Sequence, residues 1–213
     1  MRISAWSHNT VQDFQAMHNF LSNNLSLRNT TTEQIKHQLL LMWTHQERLF
    51  SVLKPEGFFL RGERLRHHLI FYFGHTPAFY INKLVTGKFI DFKQRIDPHF
   101  ESIFAVGVDE MSWDDIAPDN YDWNGLKTEE EFEAYIAKVM DYRKKVLKFL
   151  LKMLDDYPLN KGRTDPIAES SLHWVILMGI EHEKIHLETS ACIVAQLPMK
   201  YLKSDSMWKF PLS

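Results

Sequence analysis

Residues 178–198 read MGIEHEKIHLETSACIVAQLP. His182 and His186 stand four positions apart, a spacing that in a helix sets two side chains side by side on a single face, close enough to share one metal ion. The helix should begin soon after Pro166 and stop near Leu197, because Pro198 has no N–H with which to continue it. Along it Val175, Met178, His182, His186, Thr189 and Ile193 form one stripe, and Glu181, Lys184 and Glu188 the opposite one. The histidine pair is therefore expected to point into a core with the apolar residues. Glu188 is turned well away from His182, at roughly 100 degrees per residue. It reads either as a solvent-side partner of Lys184 or as a residue that orients a ligand histidine from behind.

Three further helices are legible outward from this one. Thr32 to Leu53 carries Ile35, Leu39, Met42, Trp43, Leu49, Phe50 and Leu53 at mostly helical spacing, with Thr30 and Glu33 as a capping box. Leu65 to Leu84 (LRHHLIFYFGHTPAFYINKL) is strongly apolar. Inside it Pro77 removes a hydrogen bond to the Phe73 carbonyl, predicting a kink beside His75. Thr128 and Glu131 form a second capping box before a helix reaching about Tyr157. Four long helices predict an all-α four-helix bundle, in which facing helices can hold a metal within the core. An extra N-terminal helix, roughly Val11 to Leu21, is also expected, and residues 1–198 are read as the bundle. The span from Gly87 to Lys127 is a long aromatic and acidic insertion, expected to pack across the bundle mouth as a structural cover or as part of a substrate site.

Composition narrows the function. In 213 residues, 45% are hydrophobic and the formal net charge is -2, enough apolar material for one core and no broad basic field for nucleic acid or an anionic membrane. No apolar run is long enough to span a bilayer, and the start MRISAWSHNT lacks a signal-peptide pattern, so a cytoplasmic protein is expected. Cys192 is the single cysteine, which leaves no thiolate zinc cluster and reads as a small buried residue. A metal must then be held by histidine or carboxylate. His75, on a separate apolar helix with Phe71, Phe79 and Asn82 on its face, is the best candidate for a third ligand. Spacing alone leaves His45, His67, His68, His99 and His173 open.

The stretches LRHHLIFYFGHTPAFYINKL, IDPHFESIFAVGVDEMSWDD (residues 96–115) and MGIEHEKIHLETSACIVAQLP closely resemble the amino-terminal DinB-like domain of 5-histidylcysteine sulfoxide synthases of ovothiol biosynthesis. The ergothioneine-pathway enzymes are similar in fold and iron-site pattern. The resemblance covers about residues 40 to 200. It implies a DinB-like bundle whose Fe(II) is held by His75, His182 and His186, with cysteine, histidine and O2 as substrates joined into a sulfoxide. It also implies that Phe71 contacts the imidazole substrate. Glu183 and Glu188 are the candidates for supporting the ligands. The family continues into a formylglycine-generating-enzyme-like domain, whereas this sequence ends at Ser213. The tail 199–213, with Tyr201, Leu202, Met207, Trp208 and Phe210, is accordingly expected either to dock such a partner or link to it, or to fold back on the bundle.

Three other functions remain open. HEKIH satisfies HExxH, in which Glu183 would activate water in a zinc peptidase, although no following GxxH completes the longer motif. A DinB-like thiol transferase needs only the bundle. A non-catalytic metal-binding module would bind an ion without turnover.

Overall fold

The computed structural model describes residues 25–63, 66–105 and 121–203. Its helices are α1 (Thr32–Ser51), α2 (Leu69–Thr86), α3 (Pro98–Ile103), α4 (Glu129–Asp156) and α5 (Leu172–Ala195). Short 3-10 turns cover Pro55–Phe59, Phe92–Gln94, Asp122–Gly125 and Met199–Tyr201. Among the described residues there is no β-ladder, only an isolated bridge between Leu53 and Leu202. The protein is thus an all-α bundle, as its periodicity predicts. The expected helix over Val11 to Leu21 and the tail residues Met207, Trp208 and Phe210 lie outside the described residues.

The bundle is a ring in the order α1, α5, α2, α4, each packing on the next, while α1 and α2, and likewise α4 and α5, sit diagonally. Helices consecutive in the chain are not obliged to be neighbours here, because the segments joining α1 to α2 and α4 to α5 are long enough to cross the bundle end. The core is continuous. Ile35, Leu39, Met42 and Leu53 from α1 and the turn after it, Ile70, Tyr80 and Ile81 from α2, Val146 and Leu150 from α4, and Ile176 and Ile180 from α5 are at most 1% exposed. Burying each such side chain contributes roughly 1.5–3 kcal/mol before the entropy of ordering it is set against that gain.

Local signals set most helix ends. At α4 the expected box forms, with Glu131 N–H donating to Thr128 Oγ1 at 3.2 Å and Thr128 N–H donating to Glu131 Oε2 at 3.0 Å. At α1 the box falls one residue later than expected. Thr30 is turned away to its hydrogen bond with the Ser26 carbonyl, and Thr31 pairs reciprocally with Gln34. α2 begins at Leu69 rather than Leu65, and Ser171 caps α5 by accepting from Trp174 N–H. The insertion is partly helical, containing α3 and two 3-10 turns. Its described aromatics Phe104 and Trp123 are buried and stack with centroids 5.7 Å apart, which is the expected cover in part. Residues 106–120 lie outside the described residues. The start of the tail folds back, with Lys203 N–H donating to the Val52 carbonyl at 2.7 Å.

Two expectations for α5 need correction. Its most deeply buried line runs through Ile176, Ile180, Glu183 and Ser190, so Glu183 lies at the centre of the inward face and His182 and His186 lie on its flank, each half-buried. Cys192 is exposed rather than buried, because Ser190, Ile193 and Val194 occupy the core at that level.

Candidate metal centre

α2 and α5 share the most extensive helix contact in the bundle, and this contact brings His75 to the α5 pair. His75 Nε2 lies 3.2 Å from His182 Nε2, and His182 Nε2 lies 3.0 Å from His186 Nε2. One donor atom from each residue falls within 4.8 Å of the other two, and among the described residues no other group of three His, Cys, Asp or Glu is so arranged. Of the candidates for a third ligand left open by spacing, the structure brings His75 to the pair. His67 and His68 are engaged by Tyr121 Oη at 2.8 Å and Trp123 Nε1 at 3.1 Å, and His99 is paired with Asp122 on the surface. His45 and His173 do not join the cluster.

The nitrogens meet in a way that suits a cation. His75 Nδ1 is 2.7 Å from the Phe104 carbonyl oxygen; a carbonyl only accepts, so the ring carries its proton on Nδ1 and turns the Nε2 lone pair inward. A neutral His182 has at most one Nε2 proton to offer to two facing nitrogens. The cluster is left with lone pairs directed at one another, which an ion between them would satisfy. Metal–imidazole bonds of about 2.1 Å at right angles put nitrogens about 3.0 Å apart, and tetrahedral angles put them about 3.4 Å apart. The two spacings at His182 Nε2, to His75 and to His186, fit neighbouring members of such a donor set.

Burial keeps the three rings neutral and therefore available as ligands. It lowers the His75 pKa, drives His186 down to about 3, and, with His186 and His75 adding to it, drives His182 down to about 2. Aromatic walls fix the rings. Phe79 stacks on His182 at 3.8 Å between centroids, Phe71 lies on His75 at 5.2 Å, and Tyr72 stands 5.8 Å from His186. Phe71 is itself covered on its other side by His67 at 4.1 Å and is almost fully buried. Gly74 makes the His75 anchor feasible, since a Cβ there would come within 2.3 Å of the Phe104 ring.

The two glutamates part company. Glu183 is fully buried and accepts from the Tyr80 hydroxyl at 3.0 Å. Burial pushes its carboxyl up to about 7 against the opposing pull of Arg143. A carboxylate committed to the core is poorly placed to activate water, which removes the support for an HExxH peptidase. Glu188 is exposed, and Lys184 bonds Glu181 at 2.7 Å. Nδ1 of His182 and of His186 are buried without a hydrogen-bond partner among the described residues, so neither glutamate orients a ligand through that atom. Sequence reasoning did not find Phe104, Tyr80 or Arg143. The one available signal was Pro77, which announces a vacant carbonyl at Phe73.

Fold and site together define a helical bundle bearing a candidate three-histidine metal centre. Compared with known proteins, the chain matches no family model and no curated sequence. No helix among the described residues is long and apolar enough to cross a membrane.

Proposed function

We propose that this chain is the metal-binding bundle of a non-haem iron, O2-dependent sulfoxide synthase, which joins the sulfur of cysteine to the imidazole of histidine as in ovothiol biosynthesis. The observation that carries the reading is the convergence of three neutral imidazoles on one point, at the positions where the sequence resemblance to that DinB-like family implies iron. Fe(II) bound there would supply a redox-active Lewis acid with coordination positions left for exogenous reactants. His75 would be the ligand set by a hydrogen bond and the α5 pair those set by aromatic contacts. Phe71, Phe79 and Tyr72 would exclude water and hold the rings, and the resemblance implies that Phe71 contacts the imidazole substrate. In the overall reaction one S–H and one C–H bond are lost and a C–S bond forms. One oxygen atom ends on sulfur and the other leaves as water. A formylglycine-generating-enzyme-like domain or subunit would complete the substrate site, and the setting would be cytoplasmic.

Because the whole triad is built from this bundle alone, a metal-dependent thiol transferase is the second reading. A non-catalytic metal-binding module is the outcome if neither chemistry appears. Anaerobic Fe(II) titration followed by oxygen uptake with cysteine and histidine separates them. One equivalent of iron with coupled uptake and a thioether sulfoxide product is the expected result, either from the chain alone or after addition of the completing domain. Metal-dependent consumption of a thiol and an electrophile without oxygen uptake would replace the synthase by the transferase. Absence of stoichiometric metal would remove both.

A further inference from the structure

A helix with an internal proline has one carbonyl without its intrahelical donor, four residues earlier. In α2 the proline is Pro77 and the carbonyl is that of Phe73, two residues before His75. That carbonyl is not left vacant. Arg143, from α4, donates Nη1–H to Phe73 O at 2.7 Å and approaches Thr76 Oγ1 at 3.1 Å with the same nitrogen. The guanidinium thus grips the residues on both sides of His75 from within the core, while Phe104 holds the imidazole from the insertion.

Arg143 is 0% exposed, and a charge so placed is costly unless something specific requires it. Its guanidinium lies over the Trp43 ring at 4.6 Å and the Phe73 ring at 4.4 Å, and Glu47 stands 4.0 Å from Nε. Glu183, the residue after His182, is tied to α2 by the Tyr80 hydroxyl. Thr76 and Glu183, the immediate chain neighbours of two candidate ligands on two helices, are thus each held by a buried polar contact, Thr76 to Arg143 and Glu183 to Tyr80. An apolar residue would fill this volume at less electrostatic cost, but it would give Phe73 O no donor.

We infer that Arg143 is a positioning residue for the metal centre: it supplies the donor that Pro77 withholds from Phe73, and so sets His75 against the α5 histidine pair. It touches no reacting atom, and the inference rests on the triad being the metal site.

The test uses the whole chain with Co(II) alone as probe, read by its visible d–d spectrum and by affinity. A second readout, on the metal-free chain, is the NMR signal and solvent exchange of the His75 Nδ1 proton. Arg143→Met should weaken Co(II) at least ten-fold, alter the spectrum and speed that exchange. Adding Pro77→Ala restores a backbone N–H for Phe73 O and should recover much of both losses, which a general packing defect would not allow. Should Arg143→Met fail to fold, Arg143→Lys with and without Pro77→Ala gives the same comparison, because lysine keeps the charge and loses the planar fork. Affinity and exchange within two-fold of wild type, or losses that Pro77→Ala leaves untouched, would overturn the inference. If the wild-type chain takes up no Co(II), the metal reading fails, and the His75 proton still decides whether Arg143 positions that ring.

Discussion

The two halves of the triad are held in opposite ways. His75 sits on α2 almost fully buried, with its far nitrogen on the Phe104 carbonyl and with Gly74 cleared of a side chain so that the Phe104 ring can approach. His182 and His186 sit half-buried on the flank of α5, meet aromatic rings, with Phe79 stacked on His182 and Tyr72 tilted against His186, and have far nitrogens without a hydrogen-bond partner among the described residues. Hydrogen bonds to a fixed carbonyl specify a ring's rotation, whereas stacking specifies mainly its plane. The candidate site thus pairs one ring set by a hydrogen bond with two set by aromatic contacts.

The sharpest way to break this contrast is to delete ligands. His182→Ala or His186→Ala should abolish stoichiometric iron binding in equilibrium titration, and full retained occupancy by either variant would sink the ligand assignment. Next in size is Gly74→Ala, whose new methyl group meets Phe104. Displacing the carbonyl that orients His75 should weaken the metal by about 10–100-fold, and overpacking should cost about 1–3 kcal/mol in chemical denaturation. Phe79→Leu removes the stack on His182 and the contact of Lys83 Nζ with the same ring. It should lower stability by roughly 0.5–1.5 kcal/mol and leave the metal stoichiometry unchanged, so that losing the ion here would show the α5 pair to be as tightly specified as His75. Smallest at the site is Thr128→Ala, which unmakes the α4 cap, costs about 1 kcal/mol, and should not alter metal affinity. It calibrates how far global destabilisation alone reaches the centre.

Acid provides an independent probe through His67 and His68. Burial, with Arg61 nearby, lowers both to about 4 from an ordinary value near 6.5. Between those values the unfolded chain binds more protons than the folded one, so stability should fall as pH drops from about 6.5 toward 4. Thermal melts of the metal-free chain should show that slope. Replacing both histidines by asparagine should reduce that slope without abolishing it, since burial lowers His75, His182 and His186 as well, and an unchanged slope would assign it to those three.

Helices were legible because burial on one side imposes a period of about 3.6 residues, and the HxxxH pair was legible because four residues is one turn. The inward face of α5 was misplaced by one position because its apolar residues surround much of the helix, so periodicity alone did not distinguish Glu183 from His182 as the centre of the buried line. Thr30 and Thr31 are both able to cap, and only the bond from Thr30 to Ser26 decides between them. The convergence of His75 with the α5 pair depends on which helices become neighbours, a property of the long connections. Arg143 was illegible for a similar reason: in sequence it stands among the charged residues of α4, and its target is a backbone carbonyl that carries no side-chain signature.

His75 and His182 are 107 positions apart in the chain. An ion joining them closes a loop spanning α2, the insertion and α4, and in the chain-entropy picture a cross-link over about 100 residues removes on the order of 4–5 kcal/mol of freedom from the unfolded state. Helix turns form locally and early, whereas contacts of such separation come late in folding. A bound ion should therefore act chiefly as a kinetic clasp, slowing the escape from the native state much more than it speeds arrival there.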